Sequence, residues 1–314
     1  MLPKICILAG PTAVGKTEIS LALARSLCGE IISADSAQVY KYMDIGTAKL
    51  SEDEMQGIRH YMIDEVTPDM DFSVAHFKER AELYIKDIGE RGKLPIITGG
   101  TGLYINSLLN NLDFTDSICD EKFRKEMKEL AVQKGSAYVH SKLEAVDPEA
   151  YERIHPNDLR RVIRALEVYK HTGRPISYFQ EESRKQPPRY QYAYISLTMD
   201  RQKLYERIDH RVDKMIASGL IEEVEGLLKM GYNRELNSMQ SLGYKEIADY
   251  LHGLITKEEA VRVLKRDTRH YAKRQLTWFR GDKRVNWVHI DIFYRKEVLV
   301  ENIIRYIAGK IPLI

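Results

Sequence analysis

The segment Gly10-Pro11-Thr12-Ala13-Val14-Gly15-Lys16-Thr17 restricts this chain more than any other, because it fits G-x-x-x-x-G-K-[ST]. Its context fits as well: KICILAG before it reads as a buried strand, and TEISLALARSL after it has helical spacing. A glycine-rich turn between a strand and a helix lets successive backbone N–H groups point inward as an anion nest, and the helix amino terminus adds positive potential. Lys16 is placed to reach an outer phosphate and the Thr17 hydroxyl to ligate Mg²⁺. The loop from Gly10 to Thr17 is thus a candidate site for a diphosphate or triphosphate.

The rest of the chain repeats the strand-then-helix alternation. EIISADS reads as a second strand, FSVAHFKERAELYIKDIGERG as a helix and LPIITGG as a third strand ended by glycines. From about Asp113 to Arg189 strand signals stop, and EKFRKEMKELAVQKG, SAYVHSKLEAV and NDLRRVIRALEVYKHTG all have helical spacing. AYISLTM then returns a strand, DRQKLYERIDHRVDKMIASG a long helix, and VNWVHID a last short strand. The expected fold class is α/β, a P-loop NTPase-like parallel sheet flanked by helices. The boundaries read as 1–112 for the first part of the core, 113–189 for a helical insertion domain, and 190–314 for completion of the core with basic carboxyl-terminal helices.

Apolar residues make up 44% of the 314, enough for a packed core. No run approaches the roughly 18 uncharged apolar residues of a membrane helix, and no export signal opens the chain, so a cytoplasmic location is expected. Cys6, Cys28 and Cys119 stand at unrelated spacings and read as reduced thiols rather than a zinc or disulfide set.

A phosphate-binding loop alone does not separate a kinase or ATPase from an enzyme that releases diphosphate. Phosphoryl-transfer enzymes of this class hold magnesium with an Asp at the end of an apolar strand. Here LPIITGG ends in Thr98 and glycines instead. The carboxylate expected at a strand's carboxyl end is Asp35, where open α/β sheets place reactive groups, which makes it a candidate general base. The same residue also suits a simple turn or helix cap.

Seven segments, in order, resemble the tRNA dimethylallyltransferase (tRNA isopentenyltransferase) family: GPTAVGKT, DSAQVYKYMDIGTAK, DFSVAHF, GGTGLYINSLL, RIHPNDLRRVIRALEVYKHTGRPIS, RIDHRVDKMIASGLIEEV with SLGYKEI, and RHYAKRQLTWFR. Leu50 stands where the family commonly has proline, and Arg59 where a second histidine is common; both lie outside the positions assigned to chemistry. The resemblance implies transfer of a dimethylallyl group from dimethylallyl diphosphate to N6 of the adenosine 3′-adjacent to the anticodon in tRNA, with Mg²⁺ as cofactor. It also implies that Asp35 takes the amine proton, and that Lys16, Thr17, the loop and Arg211 stabilise the leaving diphosphate. Thr101 would lie by the substrate nucleotide, and Ser36, Ala37 and Gln38 beside the flipped base. Read from the residues alone, Arg211 suits a surface ion pair and Thr101 a helix cap.

Between Arg262 and Arg284 nine Lys or Arg face only two acids. At helical spacing Arg262, Lys265, Arg266, Arg269, Lys273 and Arg280 form a stripe within an arc of about 100°. Such a stripe suits a phosphate backbone, and His270, Tyr271, Trp278 and Phe279 offer faces for unpaired bases, although a solvated helix face is the ordinary explanation of charge runs. Arg160, Arg161 and Arg164 of HPNDLRRVIRAL form a second cluster, which the resemblance also places on tRNA; an amphipathic helix with Val162, Ile163 and Leu166 inward explains it equally. The expected partners are the tRNA anticodon loop and dimethylallyl diphosphate, with no membrane, and the chain is expected to act as a monomer. Rival readings are prenyl transfer to free adenylate, nucleotide phosphorylation, and an RNA-binding protein whose loop senses nucleotide.

Overall fold

A computed structural model describes residues 2–110 and 120–312, so Cys119 and residues 113–118 of the expected insertion lie outside the described residues. The chain forms two compact units, one of Met1–Ile105 with Arg189–Ile314 and one of Asn106–Pro188.

The larger unit is built on six parallel strands, β1 (Lys4–Ala9), β2 (Gly29–Ser33), β3 (His60–Tyr61), β4 (Leu94–Gly99), β5 (Gln191–Thr198) and β6 (Asn286–His289), in the spatial order β3-β2-β4-β1-β5-β6. The central strands are nearly all buried, which is why KICILA, GEIIS and LPIITG read as continuous apolar runs rather than alternating ones. The two-residue β3 pairs Ile31 with His60 and Ile32 with Tyr61, and is too short to leave a period in the sequence. Because every strand points the same way, the segments that follow β1, β2 and β4 open on one edge of the sheet. These are the phosphate loop, the turn at Asp35, and Gly99-Gly100-Thr101.

Two apolar clusters support that edge. One packs Cys6, Leu8, Ile31, Ile96, Ile195 and Leu197 of the sheet against Ile19 and Leu23 of helix Lys16–Ser26 and Ile303 and Ile307 of helix Lys296–Lys310. The other joins Val39, Tyr40 and Met43 to Val212, Leu220, Val224, Tyr244, Ile247 and Leu264. It fixes helices Arg201–Ala217, Leu220–Lys229, Tyr244–Leu251 and Lys257–Arg280. Cys6 is buried in the sheet, and its thiol is pushed up to about 12 by burial, whereas Cys28 is exposed.

The smaller unit is helical, with Glu121–Lys134, Ser136–Val146, Pro148–Arg153, Leu159–Thr172 and Ile176–Lys185. Its core joins Val139, Leu143, Ala150, Val162, Ala165 and Leu166. The amphipathic reading of Leu159–Thr172 thus holds, with Val162, Ile163 and Leu166 buried. Among the described residues no helix is long and apolar enough to cross a membrane.

Candidate active site

The phosphate loop carries the backbone strain its function requires. Gly10 has φ +146°, where a Cβ would lie 2.8 Å from the Leu197 carbonyl oxygen, so only glycine lets the loop leave β1 in contact with β5. Ala13 and Gly15 also adopt positive φ, at 63° and 100°, which turns consecutive amides toward one side. Helix Lys16–Ser26 begins directly after Gly15 without a side-chain cap, so its first amides are left for an anion.

A cavity of about 400 Å³ opens over this loop. Thr12, Ala13, Gly15, Lys16 and Thr17 form its floor, while Asp35 and Gln38 come from the end of β2 and Thr98 and Gly99 from the end of β4. Helix Arg201–Ala217 supplies Arg207, His210, Arg211 and Lys214. Their spacing of three, four and seven residues puts them on one face, while Leu204, Ile208 and Val212 on the adjoining face anchor the helix in the core. The Arg207 guanidinium comes within 3.8 Å of where a Cβ on Gly15 would sit. Asp35 is the one carboxylate among the lining residues, against the basic side chains of Lys16, Arg207, Arg211 and Lys214. The cavity lining is therefore suited by charge to a multiply charged anion.

The Lys16 ammonium donates to the carbonyls of Gly10 at 3.0 Å and Pro11 at 2.8 Å. Burial pushes its pKa down to about 7; Asp35 opposes that fall and Arg211 adds to it. Burial likewise lowers the Arg211 pKa, with Asp35 opposing. Arg211 therefore faces the phosphate loop rather than serving as a surface ion pair. Asp35 makes the expected turn cap and also stands in the cavity. Its Oδ1 accepts the Ala37 N–H at 2.9 Å, which makes the turn after β2, and the residue still lines the cavity.

Thr101 stands just behind the cavity lining. Among the described residues the cavity wall includes Gln38 but not Thr101, Ser36 or Ala37. The Thr101 hydroxyl accepts the Ser36 N–H at 3.2 Å, and the Thr101 N–H donates to the Ala34 carbonyl at 3.1 Å, so it ties the Asp35 turn to the loop after β4. Gln38 is engaged with its own neighbourhood. Its Oε1 accepts from Ser33 at 2.8 Å, and its Nε2 donates to the carbonyl of Thr47 at 3.2 Å. The loop Asp44–Ala48, which brings Thr47 and Ala48 to the cavity, is held by Glu223. That carboxylate accepts the N–H groups of Asp44, Ile45 and Gly46 at 3.0, 2.7 and 3.1 Å and the Tyr244 hydroxyl at 2.7 Å. Leu50 and His60 also line the cavity beside Ile31 and Ile63, so the leucine that departs from the family pattern lies at the site after all.

Sequence reasoning missed Arg207, His210 and Lys214, although their common face with Arg211 was available as a signal. It also missed Gln275 of helix Lys257–Arg280, a buried amide that lines the cavity. Tyr271, one turn earlier, lines it too; its hydroxyl is pushed up to about 12 mainly by burial and interacts with Thr101 and Gln275.

The basic stripe on helix Lys257–Arg280 is less uniform than its sequence suggests. Lys265 pairs with Asp213 at 2.6 Å and Arg269 with Asp209 at 2.6 Å, both on helix Arg201–Ala217. Arg262 pairs with Glu259 at 2.6 Å and Arg266 with Asp267 at 2.8 Å. Two of these four partners thus come from a neighbouring helix, where sequence distance hides them. Lys273, Arg274 and Arg280 are exposed and make no ion pair among the described residues; Arg274 stacks over Tyr271 at 5.7 Å, and Trp278 is exposed beside them. In the helical unit Arg160 and Arg161 are exposed, with Arg161 paired to Asp158 at 3.2 Å, and Arg164 pairs with the buried Glu167 at 2.8 Å.

The IPP transferase family pattern matches residues 38–282. A tRNA dimethylallyltransferase of Acetivibrio thermocellus is 55% identical over 307 residues, which covers 98% of each chain. One from a Thermoanaerobacter species is 55% identical over 313 residues, 99% of each. Among solved structures, a tRNA isopentenylpyrophosphate transferase from Bacillus halodurans superposes with TM-score 0.73 at 46% identity, covering 98% of this chain and 96% of that one. A eukaryotic dimethylallyltransferase acting on tRNA superposes with TM-score 0.79 at 30% identity, covering 96% and 77%.

Proposed function

The chain belongs to the IPP transferase family of tRNA dimethylallyltransferases, and from that premise we infer that it carries a dimethylallyl group from dimethylallyl diphosphate to N6 of the adenosine 3′-adjacent to the anticodon in tRNA. The products are N6-isopentenyladenosine and diphosphate. The observation that carries the reading is one cavity in which Asp35 faces a phosphate cradle walled by Lys16 and Arg211, while β4 ends in Thr98 and Gly99 where a phosphoryl-transfer enzyme needs a magnesium-binding Asp.

The adenine amine attacks C1 of the prenyl group, the C1–O bond breaks with its electron pair going to diphosphate, and the N6 proton passes to Asp35. An amine conjugated to a purine is a weak nucleophile, so removal of its proton and alignment with C1 both lower the barrier. The loop amides, Lys16 and Arg211 stabilise charge that grows on the leaving group, and Arg207 and Lys214 stand on the same wall to share it. Ile31, Leu50 and Ile63 give the five-carbon group an apolar side. The residues suit Mg²⁺ brought in with the diphosphate: Thr17 offers a hard hydroxyl oxygen in the cavity, and no cluster of three His, Cys, Asp or Glu that would cage a metal occurs among the described residues. Mg²⁺ held by Thr17 would neutralise part of the diphosphate charge.

For the base to reach Asp35 it must leave the stacked anticodon loop. On the larger unit Lys273, Arg274 and Arg280, with Trp278, are the surface best suited to follow the RNA backbone, and on the helical unit Arg160 and Arg161 are. The reading has the chain working in the cytoplasm as a monomer. Radiolabelled dimethylallyl diphosphate offered with unmodified tRNA or with AMP tests it. Label should enter tRNA alone; label entering AMP would favour the free-nucleotide reaction, and label entering neither would refute prenyl transfer.

A further inference from the structure

Three separate loops must hold their spacing for this reaction: the phosphate loop after β1, the Asp35 turn after β2, and Gly99-Gly100-Thr101 after β4. Strand pairing fixes the strands, with Ala9 opposite Gly99 and Ser33 opposite Thr98. It says nothing of the residues beyond them. The loop after β4 is tied to the Asp35 turn by the Thr101 hydroxyl on Ser36 N–H and by close backbone approach, since a Cβ on Gly99 would lie 2.1 Å from the Ala34 carbonyl oxygen. What ties it to the phosphate loop is one side chain from a helix distant in sequence.

Gln275 is 6% exposed and uses both ends of its amide. Its Oε1 accepts the Thr12 N–H at 2.9 Å, and its Nε2 donates to the Gly100 carbonyl at 3.0 Å. A primary amide is the one side-chain group that offers an acceptor and a donor in this fixed geometry; a carboxylate has no donor and an alkyl chain has neither. The fit is tight, because a Cβ on Gly100 would sit 2.0 Å from Gln275 Nε2. One turn earlier Tyr271 interacts with Thr101 and with Gln275, so the two residues join the phosphate loop to the loop after β4, and Thr101 carries the link on to the Asp35 turn through Ser36 N–H.

We propose that Gln275 is a positioning residue for the transfer step: its amide sets the spacing between the phosphate cradle and the Asp35 side of the cavity, and so the approach of the amine to C1. This rests on the prenyl-transfer reading. The cradle keeps its other amides, Lys16 and Arg211 without Gln275, and the RNA-facing residues lie elsewhere on the helix. Each ligand therefore binds nearly as before while alignment of the two is lost. Misplacement of reacting groups on the scale of one ångström costs on the order of a hundredfold in rate.

The test is Gln275→Met, close in size and without hydrogen bonds, with Gln275→Glu as a second variant that keeps the Thr12 acceptor and loses the Gly100 donor. Magnesium diphosphate affinity, tRNA affinity and the single-turnover rate from dimethylallyl diphosphate to tRNA are measured separately, with thermal melting as a fold control. For Gln275→Met both affinities should stay within about threefold while the rate falls at least about tenfold, and Gln275→Glu should also be slowed. A rate within about twofold of the parent in either folded variant overturns the proposal, being far short of the cost of misalignment. So does a rate loss matched by an equal loss of diphosphate affinity, because the residue would then serve binding. If the parent protein transfers no prenyl group to tRNA, the functional reading itself fails, which the same measurements distinguish.

Discussion

The pKa of Lys16 leads to a direct test of the diphosphate cradle. Burial holds its pKa at about 7, so the free protein carries a mixture of ammonium and amine at neutral pH. A bound diphosphate adds negative charge beyond that of Asp35 and restores the ammonium. The sign follows: affinity is full below about pH 7 and falls as pH rises through it, because binding must then take up a proton. At about pH 8.5 only about 3% of a group with pKa about 7 is protonated, so affinity should drop by about thirtyfold, or about 2 kcal/mol, relative to about pH 6. Calorimetric titration with inorganic diphosphate and excess Mg²⁺, in buffers of different ionisation enthalpy, reads both the affinity and the proton uptake. Titrations into Lys16→Met give the share due to the ligand's own protonation. Uptake approaching one proton at about pH 8.5, absent in Lys16→Met, is expected. An affinity that changes no more in the parent than in Lys16→Met, with no net uptake, would refute the argument.

Other perturbations separate chemistry, RNA binding and scaffold. Asp35→Asn keeps the acceptor for Ala37 N–H but lacks the base, so single-turnover transfer should fall by at least about a hundredfold with tRNA affinity unchanged in a filter-binding assay. Charge reversal at Lys273 and Arg280, both without ion pairs among the described residues, should weaken tRNA binding and lower the slope of log affinity against log salt by about one for each phosphate no longer neutralised. Reversal at Lys265 or Arg269 strips Asp213 or Asp209 of its partner, so a smaller change in salt slope is expected there. Glu223→Ala leaves three loop amides and the Tyr244 hydroxyl without their acceptor; chemical denaturation should show a loss of roughly 2–4 kcal/mol, and the apparent KM for dimethylallyl diphosphate should rise as the loop carrying Thr47 and Ala48 loosens.

The parts of the site legible in the sequence are those where backbone geometry demands particular residues. Gly10, Gly15, Lys16 and Thr17 are fixed by the loop they form, and Asp35 by its position after an apolar strand. The sheet is legible for the same reason, since strands buried on both faces must be apolar throughout; β3 escapes notice because two residues carry no period. Residues brought in by helix packing are harder to see. Arg207, His210 and Lys214 share a face with Arg211, yet the sequence does not say what that face looks upon. Gln275 sits among the basic residues of its helix, with Lys273 and Arg274 directly before it and Arg280 after it, and nothing local sets its amide apart. The pairing of Asp209 with Arg269 and Asp213 with Lys265 is a property of two helices side by side, so the stripe looks more positive in sequence than in space.

Nucleoside mass spectrometry of unmodified tRNA, after incubation with the protein, dimethylallyl diphosphate and Mg²⁺, puts the whole account to one measurement when the released diphosphate is counted alongside. One five-carbon adduct on N6 of the adenosine 3′ to the anticodon for each diphosphate released is the expected result. Diphosphate or phosphate released with no adduct on the RNA would contradict it.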